Sequence, residues 1–256
     1  RLPKGLRQEG AVMAAVRKKT EATPAVYLFQ ADMGTVRRPR FDFVENEEKE
    51  KLFKGYKRLT PSAAPLKSNV YAKQQDTKKL CDILPIIGFI CVSRRVMDVI
   101  EEFEKGVHVF YPVHLLDKDG APYAEEYFLL LPGHRFNAFI GSSEASWSET
   151  VSGKPYAPFN RGGIMSLREI AGRHIWWQLF ALPSYIFISG ELHDRFEKEK
   201  FRYATYDRLV ASDIPWTAEE QMGPFLRWAE EDPKRIAELV EEYPDWVRRH
   251  RPQWMD

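Results

Sequence analysis

The chain of 256 residues has an almost balanced charge, with 38 Lys and Arg against 37 Asp and Glu, and 44% of its residues are hydrophobic. A chain of this length and composition can bury a substantial core. No stretch approaches the roughly 18 to 20 uninterrupted apolar residues that a membrane span needs, which excludes a membrane-spanning protein. The only cysteines, Cys81 and Cys91, lie in or beside apolar runs. They are predicted to be reduced, buried thiols, which favours a cytoplasmic location.

Charge is unevenly distributed along the chain. Counting Lys and Arg against Asp and Glu, residues 1–80 have 18 against 9, residues 81–211 have 14 against 17, and residues 212–256 have 6 against 11. The basic first eighty residues suit an acidic partner or a nucleic acid. They lack the aromatic and glycine motif of a nucleic-acid-binding domain, so solvated segments are the favoured interpretation and a nucleic-acid partner is not expected.

The N-terminal quarter contains one predicted strand and one predicted helix. Residues 1–23 are polar and predicted to be loose or disordered, and Val26–Phe29 is the first predicted strand. Residues Asn46–Lys57 combine helix formers with an apolar stripe, which predicts a helix. The Pro-containing segment Thr60–Pro65 is expected to end that helix.

An apolar strand, a serine and a short amphipathic helix then occur in this order twice. The first copy is Phe89–Val92 followed by Ser93, and the second is Ile186–Ile188 followed by Ser189. A serine at this position caps a helix when its side-chain oxygen accepts a hydrogen bond from an N–H group of the first turn. The pattern predicts that both serines cap their helices and that the two copies occupy related positions.

The middle of the chain predicts a hairpin and a long loop. Two β-rich runs, Val107–Leu116 and Tyr123–Leu131, flank the turn sequence Asp117-Lys118-Asp119-Gly120. An Asp and Gly turn between two such runs is typical of a β-hairpin. Residues 141–163 are rich in Gly, Ser and Pro and are predicted to form a long surface loop, which is commonly a functional part of a compact domain.

The last third of the chain continues the mixture of helices and strands. A helical turn is predicted at 166–170, a strand at 174–180 and a returning strand at 203–209. Thr217-Ala218-Glu219-Glu220 has the sequence of a capping box, and Pro233 suits the first turn of a second helix.

The predicted fold class is α+β, with a mixed or antiparallel sheet, short serine-capped helices and a helical C-terminal appendage. The predicted organisation is a polar segment 1–23, an α+β domain 24–211 and a helical extension 212–256.

Catalytic and metal-binding patterns are weak in this sequence. Ser142 and Ser143 follow an apolar run, but loop-forming residues follow them where a nucleophile elbow needs a helix. His108 and His114 share a face of one predicted strand by parity, which does not specify a metal site. We therefore expect no catalytic, cofactor or metal residues. One alternative is an enzyme of unknown class with a site near the 141–163 loop, with Ser142, Ser143 and His174 as its least implausible members. The other is a nucleic-acid-associated factor that uses the basic first eighty residues.

Tryptophans provide candidate contacts with a partner. Trp176 and Trp177 are neighbours in a predicted strand, so one indole ring should face the core and the other the opposite side. An outward-facing ring would suit an interface, whereas both rings would be core if both faces of the sheet are covered. Trp147, in the predicted loop, is the stronger candidate for an exposed ring.

Two segments of the chain resemble a known family. Ile90–Val96 and Phe187–Leu192 are similar to the paired Val-Ser-x-x-Leu segments of the immunity-protein-11 family of bacterial polymorphic toxin systems. The hairpin segment Glu126–Leu130 and the Ser- and Gly-rich loop occur between them in the order that the family has. The resemblance covers roughly residues 80–210. It implies a protein that binds and neutralises a cognate toxin or effector domain without catalytic residues.

The acidic C-terminal segment is the predicted contact surface for such a toxin. Carboxylates speed the encounter with a basic active site, and indole rings among them can act as anchors. The alternative is a helical cap whose tryptophans pack on the sheet and whose acids are solvated. The predicted partner-binding residues are Trp147, Trp176, Glu219, Glu220, Trp228, Glu230 and Glu231.

Overall fold

The computed structural model describes residues 24–31, 39–44, 70–86, 89–140, 148–149, 155–156, 164–178, 186–215 and 223–242. It confirms the predicted α+β class, because short helices pack on sheets with both parallel and antiparallel strand pairs.

Six strands close into a barrel in the order β2-β3-β6-β7-β5-β4. Four neighbouring pairs are antiparallel, while β3 runs parallel to β6 and β2 closes the barrel by running parallel to β4. The barrel strands are β2 (Phe41–Phe43), β3 (Val70–Gln74), β4 (Ile83–Ile86), β5 (Phe89–Ser93), β6 (Val109–Leu116) and β7 (Tyr127–Leu131).

The second sheet is open, with seven strands in the order β8-β13-β14-β1-β15-β12-β9. Its central strand β1 pairs antiparallel with β14 and β15, which come from the far end of the chain. Its strands are β1 (Ala25–Ala31), β8 (Arg135–Phe136), β9 (Phe139–Ile140), β12 (Ile164–Ser166), β13 (Ile175–Gln178), β14 (Ile186–Ser189) and β15 (Ala204–Ser212). Within the predicted 141–163 loop, β10 (Ser148–Glu149) and β11 (Pro155–Tyr156) form a separate antiparallel pair.

Five helices are present in the described residues. They are α1 (Arg94–Phe103), α2 (Leu167–Ile170), α3 (Gly190–Glu199), α4 (Gly223–Glu230) and α5 (Pro233–Glu242). The proline predicted for the first turn of the last helix is its first residue, because the missing N–H of proline is not needed there. None of these helices is long and apolar enough to cross a membrane.

The two copies of the strand, serine and helix unit lie in different sheets. Strand β5 lies in the barrel and β14 in the open sheet, yet each is followed at once by its helix and each lies between two antiparallel neighbours. The two helices contact each other, and Arg195 Nη1 of α3 lies 3.1 Å from Glu102 Oε2 of α1. A single core cluster therefore runs from the barrel interior across α1 and α3 to one face of the open sheet.

Only the second serine caps its helix as predicted. The Ser189 Oγ accepts a hydrogen bond of 3.1 Å from the Leu192 N–H. The prediction for Ser93 is wrong: its Oγ donates instead to Asp82 Oδ1 at 3.4 Å and makes no cap hydrogen bond. The first amide of α1 has another acceptor, because Arg94 N donates to the Glu126 carbonyl of the barrel at 3.1 Å.

The predicted hairpin is confirmed. Asp117 directly follows β6, and its Oδ1 accepts hydrogen bonds from the Asp119 and Ala121 N–H groups at 2.9 and 2.8 Å. Gly120 takes a φ of +94°, a left-handed backbone conformation that L side chains rarely adopt. The acidic sequence between β6 and β7 is thus a turn stabilised by its own carboxylate.

Several predictions fall outside the described residues. These are the loose segment 1–23, the helix Asn46–Lys57, the capping box Thr217–Glu220 and most of the 141–163 loop.

Candidate functional site

A buried carboxylate joins the barrel to the open sheet. Glu104 follows α1, and its side chain is 8% exposed. Its Oε2 lies 2.9 Å from His108 Nε2 and its Oε1 lies 3.0 Å from His134 Nε2. Two backbone amides complete its partners, because His174 N donates to Oε1 at 3.1 Å and Ile175 N donates to Oε2 at 3.0 Å. The carboxylate thus accepts hydrogen bonds from both sides of the contact between the two sheets.

The hydrogen bonds of the cluster fix the tautomer of His108 and lower the pKa of Glu104. Gly133 N donates to His108 Nδ1 at 3.1 Å, so the neutral His108 ring has its proton on Nε2 and donates it to Glu104. Burial alone would raise the pKa of Glu104. The hydrogen bonds from His108, from His134 and from the His174 amide outweigh it and hold the pKa of this carboxyl far below its ordinary value of 4.5.

The cluster is built for structure rather than for metal binding. The ring nitrogens that face the carboxylate act as hydrogen-bond donors to it, which leaves them no lone pair for a metal ion. No group of three or more His, Cys, Asp or Glu among the described residues has the arrangement of a metal site. The four partners instead satisfy a charged group that would otherwise be costly to bury.

The Glu104 cluster is not predicted from the sequence, although the spacing of its residues along the chain gives a partial indication of it. Glu104 and His108 are four residues apart at the end of a helix, and His134 and His174 each directly precede a strand of the open sheet. The expectation that His108 shares a face with His114 is wrong. Strand β6 begins only after His108, which is buried against Glu104, whereas His114 is exposed.

His174 lies beside a serine, but not the serines proposed for the alternative enzyme. Its Nδ1 is 2.9 Å from Ser189 Oγ, and Glu191 Oε2 lies 3.6 Å from the same ring nitrogen. A nucleophile, base and orienting acid need the hydroxyl and the carboxylate on opposite nitrogens of the ring. The arrangement supports the helix cap, and Ser142 and Ser143 lie outside the described residues.

The C-terminal helices display part of the predicted contact surface. Phe225 of α4 is fully buried, whereas Glu230 and Glu231 are exposed at the end of that helix. Trp228 is half-buried, and the Arg235 guanidinium lies 4.7 Å from the centre of its ring. Arg235 also pairs with Glu231 at 2.8 Å across the turn between α4 and α5. We call the two exposed carboxylates at this turn, Glu230 and Glu231, the acidic corner.

The other predicted contact residues are distributed differently. Trp147, Glu219 and Glu220 lie outside the described residues. Trp176 is fully buried and Trp177 nearly so, because each face of the open sheet packs into a core cluster. Both rings are therefore core, and Trp176 does not belong to an exposed surface of this chain.

Both cysteines are buried and unpaired, as predicted. Burial raises the pKa of the Cys81 thiol to about 12 and raises the pKa of Cys91 as well. Cys81 Sγ lies 3.2 Å from the carbonyl oxygen of Ile83. The thiols are core groups of low reactivity.

The architecture defines an α+β protein in which the buried Glu104 cluster joins a barrel to an open sheet. A family model for the immunity protein family (Imm11) matches residues 26–210, a span that runs from β1 into β15. The chain belongs to this immunity protein family. The match confirms the resemblance seen in residues 80–210 and extends it to the first strand. No curated protein matches the chain.

Proposed function

We propose that this chain is a non-catalytic immunity protein that binds a cognate bacterial toxin or effector domain in the cytoplasm and neutralises it. The observation that carries this proposal is the family match over residues 26–210, which includes strands of both sheets. Stoichiometric inhibition needs an exposed complementary surface and no reacting groups. The buried Glu104 cluster and the helix-capping role of Ser189 are in keeping with a binding protein.

The acidic corner at the end of α4 supports part of the contact surface. Glu230 and Glu231 are exposed, and Trp228 offers part of an indole ring beside them. Carboxylates around an aromatic anchor raise the association rate with a basic active site and add contact area. On the basis of sequence alone, Trp147, Glu219 and Glu220 extend this proposed surface.

Co-expression tests the function. The toxin domain encoded beside the gene for this chain is induced with and without the full-length chain, and survival and co-purification are scored. Protection with co-purification of both proteins supports the proposal. Cell death at full expression of the folded chain would overturn it.

Charge reversal tests the surface better than truncation does. Removing the tail would strip the buried side chains of α4 from the core, so loss of binding would be ambiguous. The double variant Glu230→Lys/Glu231→Lys should lower the association rate about tenfold at low salt. Asp98→Lys/Glu125→Lys, at exposed acids on α1 and before β7, makes the same change of net charge and is the matched control, which should leave the rate unchanged. If the double variant still protects the cells and its association rate with the toxin domain is unchanged, the acidic corner is not part of the contact surface. The proposed function would not be affected by that result.

A further inference from the structure

Arg235 connects the two helices of the C-terminal part of the chain through its side chain. It lies in the first turn of α5, and its side chain is 31% exposed. Its Nη1 donates a hydrogen bond to the Trp228 carbonyl at 2.7 Å and another to Glu231 Oε2 at 2.8 Å. The guanidinium also lies 4.7 Å from the centre of the Trp228 ring. A single side chain of α5 thus contacts two residues of the proposed contact surface.

A guanidinium group is suited to making these contacts together. It is planar and carries several N–H donors in fixed directions, so it can bind a carbonyl and a carboxylate while its face lies against an aromatic ring. The ammonium group of lysine has the same charge but is compact and does not stack in this way. The contacts of Arg235 therefore depend on the shape of its side chain as well as on its charge.

The Trp228 ring is also held from the buried side of α4. Phe225 lies one helical turn before it and is fully buried, and the centroids of the two rings are 5.5 Å apart. Trp228 itself is half-buried, so part of its ring remains exposed. The ring is thus restrained by a buried aromatic residue of α4 and by the guanidinium of α5, while part of it is accessible to a partner.

The backbone of the turn between α4 and α5 has hydrogen bonds of its own. The Glu231 N–H donates to the Arg227 carbonyl at 3.3 Å, and the Arg235 N–H donates to the Asp232 carbonyl at 2.9 Å. Asp232 Oδ1 accepts a hydrogen bond of 2.9 Å from the Lys234 N–H, as a helix-capping side chain does. None of these bonds uses the Arg235 side chain. A change of that side chain should therefore leave the turn in place and release the Trp228 ring.

We infer that Arg235 is a positioning residue for toxin recognition, which holds the Trp228 ring in the orientation in which it meets the cognate toxin domain. This inference rests on the proposed function and on the place of Trp228 in the contact surface. A ring that is held before binding loses less side-chain freedom when the complex forms. The gain appears mainly as slower dissociation. Arg235 needs no contact of its own with the toxin for this role.

The variant Arg235→Lys tests the inference, because it keeps the charge and removes the planar group. The probe is the purified toxin domain encoded beside the gene for this chain, inactivated by substitution, and surface plasmon resonance with the full-length chain gives both rates. The dissociation rate should rise about fivefold, while the association rate should stay within about twofold because the charge is unchanged. Lys234→Arg, the reverse exchange at the exposed neighbouring residue, is the matched control and should leave both rates within about twofold. Urea unfolding establishes that each variant is folded.

A second background separates positioning from direct contact. If Arg235 acts through the Trp228 ring, then adding Arg235→Lys to Trp228→Ala should leave the dissociation rate of Trp228→Ala within about twofold. A fivefold increase that persists without the ring would show that Arg235 itself contacts the toxin, and would overturn the positioning role. Equal dissociation rates for Arg235→Lys and the unaltered chain would overturn it as well.

The outcomes separate this inference from the proposed function. Failure of the unaltered chain to bind the toxin domain would contradict both. Binding by the unaltered chain with a dissociation rate that neither Arg235→Lys nor Trp228→Ala changes would contradict only the positioning role and would leave the proposed function intact.

Discussion

Glu104→Gln tests the role of the buried carboxylate at the junction of the two sheets. A carboxylate accepts hydrogen bonds at both oxygens, and Glu104 receives two at each. A glutamine side chain keeps one accepting oxygen, but an NH2 group replaces the second oxygen. That NH2 group then faces the two N–H donors that bound the second oxygen. Each buried donor left without an acceptor costs about 1–3 kcal/mol, so the free energy of unfolding should fall by about 3 kcal/mol.

The pH dependence of this loss gives a second, independent readout. Because the pKa of Glu104 is far lower in the folded protein than its ordinary value of 4.5, the folded state binds fewer protons at this group. The stabilisation is therefore fully present above the unfolded-state pKa and is lost as the pH falls below it. Between pH 5 and pH 3.5 the difference in the free energy of unfolding between the unaltered chain and the variant should narrow by about 1 kcal/mol.

Urea unfolding followed by circular dichroism at pH 7, 5 and 3.5 measures both quantities. Glu125→Gln is the control, because Glu125 is exposed on the turn before β7 and should change stability by less than about 0.5 kcal/mol. A Glu104→Gln chain as stable as the unaltered one at pH 7 would refute the role given to the carboxylate. A difference that stays constant from pH 5 to 3.5 would refute the lowered pKa.

Three further predictions concern the caps, the thiols and catalysis. Ser189→Ala should lower the free energy of unfolding by about 1 kcal/mol, and Ser93→Ala by less, because Ser93 makes no cap hydrogen bond; equal losses in urea titrations would contradict this difference. Cys81 and Cys91 should resist Ellman's reagent at pH 8 in the folded chain and react in urea, and rapid labelling without urea would show that they are accessible. A fluorophosphonate probe should label no serine, since the chain is proposed to be non-catalytic, and a covalent adduct seen by mass spectrometry would count against that proposal.

Local chemistry made the strands and helices predictable, while the acceptors of their hydrogen bonds depend on tertiary contacts. Ser93 and Ser189 occupy the same place in the same local pattern, yet only Ser189 caps its helix. The difference arises because the Glu126 carbonyl and the Asp82 carboxylate are brought to the start of α1 by other barrel strands. Nothing in the residues next to Ser93 specifies those partners.

The Glu104 cluster likewise depends on tertiary contacts that the local sequence does not specify. Its members come from the end of α1, from the loop before β8 and from the start of β13, and they meet only when the barrel and the open sheet pack together. The pair Glu104 and His108 has helical spacing and was visible, whereas the pairing with His134 and the amide of His174 depends on topology. The burial of the two tryptophans of β13 is not predictable from the sequence for a related reason. Residues of a strand alternate between the two faces of its sheet, but this alternation does not show whether both faces are covered.

The order of strands along the chain has a consequence for how the protein is made. All six barrel strands lie between β1 and β8, so the chain leaves the open sheet after its first strand and returns to it only after the barrel is complete. Strand β1 pairs Leu28 with Phe187 and Asp207, residues synthesised long after it. Pairings between such distant residues slow folding, because a long loop must close at a cost in conformational entropy before the paired strands make any stabilising contact. During translation the barrel can close first, while the apolar β1 stays unpaired until the C-terminal strands emerge, and in that interval it is open to pairing with other chains.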